Sequence, residues 1–177
     1  MSDTTISERP KFVYVIYIAS SPEKVFEALT RPDITEKYWF GFRVAASGPA
    51  GATFTAQSPG GDKFNKGVIL ESDPPRRLAY TWHPQYDDDK HERPSRVTFD
   101  IEAFKGQVRL TIVHDDFDAG SKMFIGISKG WPAVLSSLKS YLENGRVSDP
   151  SWFYETKKAE EEEQRHRVQA RAEPVET

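Results

Sequence analysis

The chain has 177 residues, a net charge of −3 with acids and bases interspersed, 12% aromatic residues including four Trp, and no cysteine. A length of about 150 residues already buries roughly 70% of the surface that the unfolded chain exposes, so one domain can hold a core without covalent staples. The composition excludes disulfides, thiolate metal sites and thiol catalysis, offers no basic block to follow a nucleic-acid backbone, and contains no apolar run near the ~20 residues that span a bilayer.

Residues 1–11 are polar and are expected to be flexible. "FVYVIYI", Phe12 to Ile18, is rich in β-branched and aromatic residues and reads as a strand. "SSPEKVFEALT" then announces a helix. Ser21 can cap it, Pro22 suits its first turn and Glu23 favours the positive end of the dipole. "DITEKYWF" offers a second short helix, with Asp33 and Glu36 at capping-box spacing and Tyr38, Trp39 and Phe40 crowding its end. Glycines then punctuate short strands near Phe42 to Ala45 and Ala52 to Gln57.

Strict alternation marks the middle of the chain as antiparallel β with one wet face. Phe64 to Glu71 is a strand, "SDPPRR" a turn, and Leu78, Tyr80 and Trp82 alternate with Ala79, Thr81 and His83. After the charged stretch Tyr86 to Arg93, Val97, Phe99 and Ile101 alternate again. "VRLTIVHDDF" closes the set, with Val108, Leu110 and Ile112 on one face. By that parity His114 falls on the apolar side. From Ser121 the period changes to helical: Trp131, Val134, Leu135, Leu138, Tyr141 and Leu142 share a stripe that Gly145 ends. Pro132 should bend that helix. The expected organisation is a domain over 12–145 and a polar, partly helical or disordered extension over 146–177.

Five phrases, "YIASSPEKVFEALTRPDITEKYW", "GVILESDPPRRLAYTWH", "PSRVTFDIE", "VRLTIVHDDF" and "GWPAVLSSLKSYLENG", occur in order across Phe12 to Gly145. Together they resemble the START and birch-pollen-allergen superfamily. Within it they resemble the bacterial branch related to the C-terminal domain of the activator of heat-shock-protein-90 ATPase. The acidic stretch Tyr86 to Arg93 looks like a variable insertion. The resemblance implies an α+β helix-grip fold: a curved antiparallel sheet of about six to seven strands wrapped around a long C-terminal helix, with two short helices after the first strand. It also implies a cavity between sheet and helix.

The ligand-binding residues expected of such a cavity are Trp39, Phe54, Tyr80, Trp82, Phe99, His114, Phe117, Phe124, Trp131 and Leu135, with Tyr14 on the same inward face. Trp39 suits either a lid or the core. For His114 three readings compete: a structural group bonded to a backbone carbonyl, a group that orients a ligand, or a general base. The structural reading leads and the catalytic one comes last, because no nucleophile or second base is fixed beside it by spacing. "DDDKHE" lacks the glycine turn of a calcium loop and the paired His of a zinc site, so no metal or cofactor is expected.

The leading functional expectation is binding of a small apolar or lipid-like ligand, with His114 and Tyr80 setting its orientation. The alternatives are a co-chaperone-like module that stimulates heat-shock protein 90, and a cavity enzyme of cyclase or hydrolase type drawing on Asp115, Asp116 or Glu36. The chain is expected to be soluble and cytoplasmic, a monomer or weak homodimer, without nucleic-acid or membrane partners.

Overall fold

A computed structural model describes residues 9–85, 92–147, 149 and 151–172. The expected flexibility of 1–8 and the His91 end of the acidic loop lie outside the described residues. In chain order the elements are β1 (Phe12–Ile18), α1 (Pro22–Thr30), α2 (Pro32–Tyr38), β2 (Arg43–Ala45), β3 (Thr53–Gln57), β4 (Lys63–Asp73), β5 (Arg77–Pro84), β6 (Ser95–Phe104), β7 (Gln107–Asp115), α3 (Lys122–Asn144) and α4 (Ser151–Ala172). The strands form one seven-stranded sheet in the order β1-β7-β6-β5-β4-β3-β2, each neighbouring pair antiparallel. It is a curled half-barrel with the long α3 in its concave side, an α+β helix-grip fold.

Local chemistry explains the elements. The Ser21 hydroxyl accepts the Lys24 N–H and caps α1, with Pro22 in the first turn. The capping box at Asp33 and Glu36 does not form. Pro32 sets the helix start two residues earlier than that box requires, so Arg31 is the N-cap and makes no side-chain cap bond. Asp33 instead pairs with Arg31 at 2.7 Å, and Glu36 with Arg43.

Curvature has two visible sources. Register shifts fall between Ala56 and Gln57 and between Ile69 and Glu71, and bulges of this kind bend a sheet. Gly67 lies against β5 so closely that a Cβ there would stand 2.0 Å from the Thr81 carbonyl oxygen. Only glycine permits that approach.

α3 begins at Ser121, whose hydroxyl accepts the Phe124 N–H at 3.1 Å, and runs as one helix through Pro132. Gly145 ends it in the left-handed conformation. Glu92 adds a second cap, its carboxylate accepting from Lys122 N at 2.9 Å. Trp131, Val134, Leu135 and Leu138 of α3 are buried, as are the inward rows of β5, β6 and β7. The outer side of the sheet carries ion pairs: Arg77 with Glu71 and Asp100, Arg96 with Asp115, and Arg109 with Glu102. Residues 148–177 form a separate compact unit containing α4. Its described side chains are exposed.

Candidate functional site

The inward row of β7 ends at His114, which is fully buried. Strand pairing sets Val97 of β6 opposite it, with Ser95 two residues away on the same face. The Trp131 indole N–H donates to His114 Nδ1 at 3.0 Å. An indole nitrogen only donates, so Nδ1 is the acceptor and the ring proton sits on Nε2. Nε2 therefore donates to the Ser95 hydroxyl at 2.8 Å, and that hydroxyl donates to the Trp82 carbonyl oxygen at 3.3 Å. The chain of donors runs from α3 through β7 and β6 to β5 without a gap. Burial pushes the His114 pKa down to about 3 against the opposing pull of Asp115. The imidazole is neutral at physiological pH, and both its nitrogens are engaged by protein groups. Its partners are side chains from Ser95 and Trp131, not the backbone carbonyl expected from sequence. The acids proposed to assist it are engaged elsewhere: Asp115 pairs with Arg96, Asp116 with Arg9 and Arg93, and Glu36 with Arg43.

The expected ring set converges. Phe124 meets Phe117 at 5.4 Å between centroids, and Phe117 meets His114 at 4.5 Å. Trp39, Trp82 and Trp131 form a triangle with separations of 6.4, 5.2 and 5.8 Å. Phe54 stacks on Tyr80 at 4.0 Å, and Tyr80 and Trp131 both meet Phe99. Leu135 is buried on α3. Tyr14, by contrast, is half-buried and stacks on Phe12. Where sequence led us to expect a hollow, the rings pack on one another. Apolar burial and ring–ring attraction both favour that closure.

Polar groups beside it on the concave side are unlike His114, although Tyr80 shares its cross-strand row through Val97 and the Trp82 ring lies 6.0 Å from the imidazole. The Tyr80 hydroxyl, the Trp82 indole N–H, both amide atoms of Asn65 and the Ser137 hydroxyl are buried with no hydrogen-bond partner within the protein. Burial pushes the Tyr80 hydroxyl pKa well up, so it stays protonated. Asn65 was missed by the sequence reading. It lies on the buried face of β4, four residues before the buried Ile69.

Residues 19–143, from the end of β1 nearly to the end of α3, match the model of the family described as activator of Hsp90 ATPase homolog 1-like protein. The chain belongs to this family. No curated protein sequence matches it. Among solved structures it resembles the Aha1 dimer of Colwellia psychrerythraea, at 21% identity and TM-score 0.64 over 77% of this chain and 98% of that one. A Mesorhizobium loti protein aligns at 25% identity and TM-score 0.63 over 75% and 96% of the respective chains. An HSP90 activator from Plasmodium falciparum aligns at 18% identity and TM-score 0.62, over 75% and 95%.

This member of the activator-like family also has an indentation on the outer side of the sheet, about 330 Å³ in volume. Its lining includes Ala79, Thr98 and Val113 between Arg77 and Arg96. Both guanidiniums are matched by carboxylates there. The residues expected to bind ligand face the other way. No helix among the described residues is long and apolar enough to cross a membrane. No group of metal-ligating side chains occurs among them either.

Proposed function

We propose that the chain binds a small, largely apolar molecule on the concave side of its sheet, against Phe54, Tyr80, Trp82, Phe99 and Trp131. The observation that supports this is the set of partnerless polar groups on that face, Asn65, Tyr80 and Trp82. Leaving a buried donor or acceptor unsatisfied costs about 1–3 kcal/mol, and folded proteins rarely do so. A guest with a few polar atoms would satisfy them while its apolar body replaces ring–ring contacts. Entry requires a ring to move. Trp39 is suited to this, because it closes α2 and is followed by Phe40 and Gly41, both at positive φ. Affinity would come chiefly from apolar burial at about 25 cal/mol per Å². Mass spectrometry of extracts from purified protein, followed by titration of what it identifies, tests the proposal. Saturating ligand at about 100 times Kd should stabilise the fold by about 2.7 kcal/mol. Absence of any extractable or added apolar molecule that stabilises the fold defeats the proposal.

A second reading is favoured by the family match and by the Plasmodium falciparum neighbour: the chain stimulates the ATPase of a heat-shock protein 90. Turnover of that chaperone with and without added chain decides it, and unchanged turnover rejects it. We further propose that the chain is a monomer or weak homodimer, the Colwellia neighbour being a dimer. Sedimentation across a range of protein concentrations tests this.

A further inference from the structure

We infer that the concave site selects uncharged molecules and that Asn65 anchors them; the inference rests on the binding role proposed above. Strand register supplies the geometry. Asn65 lies opposite Ala56 of β3 and Pro84 of β5. Trp82 and Tyr80 lie two and four residues before Pro84 on the same face. Asn65 and Trp82 are therefore diagonal neighbours across β4 and β5, a relation that sets residues about 7–8 Å apart, and Tyr80 lies one step further along β5 on the same face. The indole offers one donor, the phenol a donor and an acceptor, and the amide two donors and an acceptor. A guest that answers all three carries both a carbonyl-type acceptor and a donor, on a flat apolar body that fits between rings.

Charge narrows the class further. The buried polar residues among those described are Thr30, Thr35, Asn65, Ser95, Thr98, His114, Ser121 and Ser137, none of them charged. The charged groups at the margins of this face are already engaged: Glu36 with Arg43, Asp116 with Arg93, Lys139 with Glu143, and Glu92 with the first turn of α3. A carboxylate or ammonium drawn inward would lose its hydration without gaining a counter-charge, so it would enter only in its neutral form. Among the described residues the buried titratable groups are His114, Tyr38 and Tyr80, with the partly exposed Tyr141 stacked on Tyr38. His114 is neutral above about pH 3, and burial pushes both buried tyrosines upward. None of the buried three changes charge between about pH 4.5 and about pH 8, so pH dependence in that range reports the guest.

Naphthamide and naphthoate, the same ring system uncharged and ionised, test the inference with the full chain, read by tryptophan emission. At about pH 8 naphthamide should bind at least about tenfold more tightly. Naphthoate should gain about tenfold in apparent affinity for each pH unit lowered toward its own pKa, while naphthamide stays level. Equal binding of the two at about pH 8 overturns charge selection alone. Failure of both probes overturns it together with the binding role. Asn65→Leu, close in shape, should weaken naphthamide about fivefold and leave naphthalene unchanged, with no loss in the unfolding midpoint. Undiminished naphthamide binding by this variant removes Asn65 as the anchor. Should Asn65→Leu fail to fold, Tyr80→Phe provides a second reading, expected to weaken naphthamide about threefold; undiminished binding there removes the polar set.

Discussion

Two neighbouring sets of buried polar groups on the concave side are treated in opposite ways. At the end of β7, His114 has a partner at each nitrogen, and the chain of bonds continues through Ser95 to the Trp82 carbonyl. A few residues away on the same face, the Trp82 indole, the Tyr80 hydroxyl and the Asn65 amide have none. Both sets lie under the same ring cluster, so burial alone does not distinguish them. The saturated set joins α3 to three strands by hydrogen bonds. The unsaturated set is held by its rings, and its polar atoms add no hydrogen bond to the fold. On the binding role proposed above, deleting polar atoms of the first set should act on stability, and of the second on binding.

Trp131→Ala should break the comparison most severely. It removes an indole that packs on Trp39, Trp82 and Phe99 and also satisfies His114. We expect a loss of about 3–5 kcal/mol in urea unfolding, the range for deleting a large buried ring. A loss below about 1 kcal/mol would mean that the His114 set is not cohesive.

Acid should act through the same set. The folded pKa of His114, about 3, lies below its ordinary 6.5. Between those values the unfolded chain binds more protons than the folded one. The contribution is fully present above about pH 6.5 and declines as pH falls toward 3, by about 1.4 kcal/mol per unit. His114→Gln keeps a neutral donor and acceptor but has nothing to titrate. Unfolding curves from about pH 7 to about pH 4 should show a shallower decline for the variant than for the parent. Parallel declines would remove His114 as their source.

Ser95→Ala leaves the Nε2 proton of His114 without an acceptor and should cost about 1–3 kcal/mol. Combined with His114→Leu, the penalty should be less than additive, since the two side chains form one bond. Strict additivity in a double-mutant cycle would show that they act independently.

The saturated set around His114 was half legible in the sequence. Alternation along β7 placed His114 inward, because a strand's period of two fixes the face of every residue. Its partners were not legible. Ser95 is 19 residues away and Trp131 is 17, and only the β6–β7 register and the seating of α3 bring them together. The elements themselves were readable where pattern and caps agreed, as in α1 with Ser21 and α3 with Ser121 and Gly145. Asn65 escaped because β4 does not alternate cleanly. The inward row of β4 reads Asn65, Gly67 and Ile69 while Val68 and Leu70 are exposed, so hydrophobicity did not mark the buried face. The hollow was implied by the family resemblance, and a resemblance in pattern does not reveal how far Trp39 and Trp82 lean into the space.

The smallest expected effect sharpens the comparison most. Tyr80→Phe removes one oxygen from a buried ring and changes almost nothing in volume. Were the hydroxyl bonded within the protein, its loss would cost about 0.5–1.5 kcal/mol. It has no such partner, so we expect stability within about 0.5 kcal/mol of the parent, or slightly higher, because a buried polar group without a partner is unfavourable. Ser95→Ala deletes a single oxygen too, yet its predicted penalty is larger. Two one-atom deletions beneath the same rings thus separate the role of burial from that of hydrogen bonding. A Tyr80→Phe penalty as large as that of Ser95→Ala would place the Tyr80 hydroxyl among the cohesive groups and withdraw it from the binding face.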